Sequence, residues 1–83
     1  MQLSELSAKQ KRAHSWEIFL KSEVRSEDLR LRFVQSLNAY RALLAKCWEQ
    51  GAISATDLHA IQTAERELED LDEEARLTVT AKN

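Results

Sequence analysis

Apolar residues recur at spacings of three and four along almost the whole chain. Leu6, Ala13, Trp16, Leu20 and Val24 form one line, and Phe33, Leu37, Tyr40, Leu44 and Cys47 a second. Ile61, Ala64, Leu68, Leu71 and Ala75 form a third. That period places each set on one side of an α-helix, whereas a half-buried strand would alternate every second residue. The pattern predicts an all-α domain over residues 1–77 with three helices, at about 4–22, 27–49 and 55–77. Thr78 to Asn83 loses the periodicity and is β-branched and polar, so 78–83 is expected to be a frayed tail.

Punctuation is scarce. Gly51 is the only glycine and there is no proline, so the residues that most disfavour helix act at a single place. Gly51 is expected to end the second helix, since it adopts the left-handed C′ conformation without a Cβ penalty. Just beyond it, Ser54 and Asp57 stand in an S-x-x-D relation, and Ile53 and Leu58 occupy the positions of a hydrophobic staple. These features predict a short turn over 50–54 and an antiparallel hairpin of the last two helices. The break between the first two is expected at 22–26. There Ser26 precedes Glu27 and Asp28, and the apolar line changes phase.

The second helix adds Leu29, Val34, Leu43 and Trp48 around its main line, an apolar surface wider than one neighbouring helix covers. A chain of 83 residues removes only about 60–65% of its unfolded surface from water. Together these point to a homodimer in which two hairpins complete a four-helix core.

The net charge of −2 hides a segregation. Residues 1–50 carry nine Lys/Arg against six Asp/Glu, and residues 51–83 carry three against eight. Antiparallel helices with such balances attract one another, or one face meets an oppositely charged partner. The acidic third helix favours the second use, with Glu65, Glu69, Asp72 and Glu73 steering the protein toward a basic partner surface. Trp16, on the helix with the less defined docking, is the expected aromatic anchor. The alternative is a nucleic-acid-binding regulator using Lys9, Lys11, Arg12, His14, Arg25, Arg30 and Arg32. The acidic helix after the only firm turn argues against a helix-turn-helix arrangement, because DNA would repel it.

Other chemistry finds no support in the residue pattern. His14 and His59 lie in no ligand spacing, and the carboxylates lack the loop that a hard cation needs. Neither a catalytic, a metal nor a cofactor site is expected, and no enzymatic activity. Cys47, the single cysteine, reads as a small buried hydrophobe. No apolar run approaches a membrane span and no secretory leader stands at the start, so the expected location is cytoplasmic. The composite expectation is a small non-enzymatic regulator, adaptor or inhibitor of the kind that accessory elements and phages encode, docking a helical, partly acidic face on a larger partner. No motif is specific enough to carry a family resemblance.

Overall fold

The computed structural model describes the backbone of residues 3–81 and the side chains of residues 4–77. It contains three helices, α1 (Leu3–Glu23), α2 (Glu27–Gln50) and α3 (Ala55–Ala81), and the described residues include no strand. Residues 24–26 separate α1 from α2. Ser26 sits in extended conformation (φ −68°, ψ 125°), and its Oγ accepts from the Leu29 N–H at 3.4 Å. Glu27 and Asp28 follow in the first turn, where the helix dipole favours negative charge. At the far end of α2, Gly51 (φ 69°, ψ 14°) donates its N–H to the carbonyls of Cys47 and Trp48. α3 starts with the Ser54 Oγ accepting from the Asp57 N–H at 3.0 Å.

One boundary differs from the expected one. α3 continues to Ala81 where the helix was expected to end at residue 77, so the backbone of 78–81 is helical; residues 82 and 83 lie outside the described residues. No glycine or proline follows Gly51. Thr78, Val79 and Thr80 each disfavour helix by only a few tenths of a kcal/mol, too little to stop a helix already propagating.

All three apolar lines converge on one core. Leu6, Ala13, Trp16, Leu20 and Val24 from α1 and its exit meet Leu29, Phe33, Leu37, Tyr40, Leu44 and Cys47 of α2. Ile61, Leu68, Leu71 and Ala75 of α3 close the third side. Phe19, Val34, Leu43, Ile53 and Ala64 pack partly buried around it. Pairs between α2 and α3 descend one helix as they climb the other, from Lys46–Asp57 through Ser36–Glu67 to Arg32–Glu74. α2 is the central helix, with α1 packed along one flank and α3 along the other. The second neighbour that its broad apolar surface demands is therefore α1 of the same chain, which removes the packing argument for a homodimer.

Candidate interaction surface

The carboxylates expected to face a partner are largely engaged inside the bundle. Glu65 is the clearest case: its side chain is only 13% exposed, and its Oε2 accepts from Lys9 Nζ at 2.6 Å and from the Tyr40 hydroxyl at 2.8 Å. Glu69 accepts from Arg12 of α1 at 2.9 Å, and Asp72 from Arg76 one turn on at 2.6 Å. Glu67 takes the Ser36 hydroxyl at 2.6 Å, and Glu74 pairs with Arg32 at 3.0 Å. Of the four acidic residues singled out, Glu73 is exposed and makes no ion pair among the described residues; Asp70, not singled out, shares this state. The charge segregation along the chain serves chiefly to join α1 and α2 to α3.

Trp16 is buried, not an exposed anchor. Its ring meets Tyr40 edge-on, with centroids 5.9 Å apart at 75°, and the Arg12 guanidinium lies 4.4 Å above it. Its place on the α1 apolar line forces this, since every residue of that line faces α2 and α3. The exposed tryptophan is Trp48, at 55%. It lies one residue beyond buried Cys47, a rotation of about 100° that carries it off the core-facing line. Leu31, Ile18 and Leu77 are likewise more than half exposed.

These exposures give α2 an unusual outer surface. Between Arg32 and Lys46 its exposed residues are Gln35, Asn38, Ala39, Ala42 and Ala45, none of them charged. The one charged residue in that interval, Arg41, is held by Glu17 of α1 at 2.8 Å. Leu31, Gln35, Asn38, Ala42 and Ala45 recur at four and three and so lie on one line opposite the core, with Trp48 beside its end. In a chain with 31% charged residues, so long an uncharged strip stands out. Alongside it runs a groove of about 300 Å³ between α2 and α3, lined by Arg32, Gln35, Ser36, Glu67, Asp70, Leu71 and Glu74. Sequence reasoning grouped Trp48 with the core of α2. Counting the charge-free positions on the opposite side would have found the strip.

The basic residues considered for nucleic acid are similarly distributed. Lys9, Arg12 and Arg32 are committed to α3 carboxylates, and Arg30 donates to the Val24 carbonyl at 3.0 Å. His14 lies 3.9 Å from Glu17, while Lys11 and Arg25 are exposed.

Several titratable groups are displaced from their ordinary values. Hydrogen bonding and attraction from Arg41 hold the Glu17 carboxyl low. The Lys46 ammonium, and after it Ser54, hold Asp57 low. The Glu74 hydrogen bond raises Arg32. Burial, followed by the Glu65 carboxylate, pushes the Tyr40 hydroxyl up strongly. Burial also raises the Cys47 thiol, which disfavours the reactive thiolate. Among the described residues, no group of three or more His, Cys, Asp or Glu side chains is arranged to hold a metal ion. No helix formed by the described residues is long and apolar enough to cross a membrane. Comparison with known protein families, with curated proteins and with solved structures finds no match.

Proposed function

We propose that the protein is a non-enzymatic interaction module, a regulator, adaptor or inhibitor that docks a helical face on a larger partner, with the α2–α3 hairpin turning at Gly51 as its rigid part. The observation that carries this reading is the uncharged outer strip of α2, flanked by exposed Leu31 and Trp48. Interface centres are depleted in charge and enriched in aromatic anchors, with polar and charged groups at the rim. The rim here is the acidic edge of α3, where Asp70 lines the groove beside Gln35 and exposed Glu73 lies one turn further on. Such an edge steers the approach of a partner with a basic surface, as expected of the acidic helix. The steering now falls to Asp70 and Glu73, because Glu65 and Glu69 are occupied and Trp16 yields its anchoring role to Trp48.

A photo-crosslinking residue at Ala42, compared with one at Gln62 on the outer side of α3, tests the reading in a cell extract. A protein adduct formed from position 42 alone, lost with Trp48→Ala and weakened by Asp70→Lys with Glu73→Lys, is the expected result. Equal adducts from both positions, or none from 42, would overturn it. Of the residues that the nucleic-acid reading uses, Lys11 and Arg25 remain exposed and outside the ion pairs to α3. That reading requires DNA affinity that falls steeply with salt, and absence of binding at low salt removes it.

A further inference from the structure

We infer that the outer strip of α2 docks on the same strip of a second copy, with the two α2 helices antiparallel. This rests on the reading of that strip as the docking face and places a second copy there, reversibly, when no larger partner occupies it. An isologous contact brings a face against itself, so any net charge at its centre meets its own like. The outer line of α3 would set Asp70 and Glu73 against their copies, and that of α1 would do the same with Lys11. The α2 strip carries no charge between Arg32 and Lys46 apart from Arg41, already neutralised by Glu17.

The direction follows from which residues then meet. Positions 38 and 42, 35 and 45, and 31 and 49 are equidistant from residue 40, so a two-fold axis at that level pairs them across the contact. Asn38 of each copy faces Ala42 of the other, and Gln35 faces Ala45, a large group against a small one at each step. Leu31 comes against the Trp48–Glu49 end of the other copy, where Glu49 also stands beside Arg30. A parallel pair would instead set Asn38, Trp48 and Glu49 each against itself, with a gap at Ala42. Because α1 and α3 flank α2 on opposite sides, the two-fold axis places both α3 helices on one side of the pair, presenting two acidic edges together.

From Leu31 to Trp48 the strip runs roughly 26 Å and is one helix wide. Its area falls short of the ~800 Å² per partner of a standard interface, so the pair is expected to be reversible, half dissociated at tens to hundreds of micromolar, about −5 to −6 kcal/mol. Sedimentation equilibrium from about 10 μM to 2 mM should show the mass rising from 9.6 kDa toward twice that value. Ala42→Glu should weaken association at least about tenfold, whereas Gln62→Glu on α3 should leave it unchanged, both folds being verified by circular dichroism. Oxidation of a mixture of Asn38→Cys and Ala42→Cys proteins should join unlike chains in preference to like ones, Cys47 being buried and out of reach. A mass constant at 9.6 kDa, undiminished association of Ala42→Glu, or preferential joining of like chains would overturn the inference. A constant mass together with a Trp48-dependent adduct from position 42 would remove self-docking while leaving the docking-face reading intact.

Discussion

At the scale of single residues, Glu65 organises more of the structure than any other acidic group. It ties Lys9 of α1 and Tyr40 of α2 to α3, with little exposure to water. Glu65→Ala strands the Tyr40 hydroxyl and the Lys9 ammonium at a partly buried site, so it should cost about 1–3 kcal/mol. Glu69→Ala, which breaks the half-exposed pair with Arg12, should cost at most about 1 kcal/mol. Urea denaturation of the two variants checks that order. Leu68 is fully buried, and Leu68→Ala should cost about 2–5 kcal/mol by the same measurement. The core was legible in the sequence because helical spacing alone decides which residues share a side, and the three apolar lines, except partly buried Ala64, are the buried ones. The fate of the charged residues was not, because Glu65 and Glu73 look alike until a lysine and a tyrosine from distant segments meet one of them. Trp16 and Trp48 likewise differ only in which side of their helices they occupy.

Among the elements, the boundaries set by capping chemistry are sharp, and the one inferred from fading periodicity was misplaced. Ser26 and Ser54 each hold the N–H of the residue three further on, and Gly51 ends α2, as their residue types require. The end of α3 carries no such signal, and the helix runs on past Leu77, where the apolar pattern is lost. Gly51→Ala meets no neighbouring atom within 4 Å, and its φ of 69° is the whole difficulty. The left-handed penalty predicts a loss of about 1–2 kcal/mol in thermal unfolding. Ser54→Ala should cost about 1 kcal/mol through the lost cap. Its effect should be partly shared with Asp57→Asn, because Ser54 and Lys46 both act on that carboxylate.

Considered as a whole, the molecule uses its uneven charge to hold three helices together, which makes its stability sensitive to acid. Glu17 and Asp57 both have folded-state pKa values below their ordinary ones. Their contribution is therefore fully present above about pH 4 and is lost as pH falls through the lowered values. Melting temperature should fall across that range, and Glu17→Gln with Asp57→Asn should flatten the fall while lowering stability at neutral pH. At the alkaline end, the raised Tyr40 pKa means that its stabilisation is intact below about pH 10 and is lost as pH climbs beyond. Absorbance of the tyrosinate, followed on this single tyrosine, should titrate only as the protein unfolds. The bundle is also long for its mass, 45 × 19 × 17 Å with a radius of gyration of 13.7 Å, against about 12 Å for a compact chain of this length. A slender body drags more solvent than a sphere of equal mass, so a single copy should leave a gel-filtration column early. Its elution volume would imitate a larger species, and only a mass measured independently of shape can count the copies.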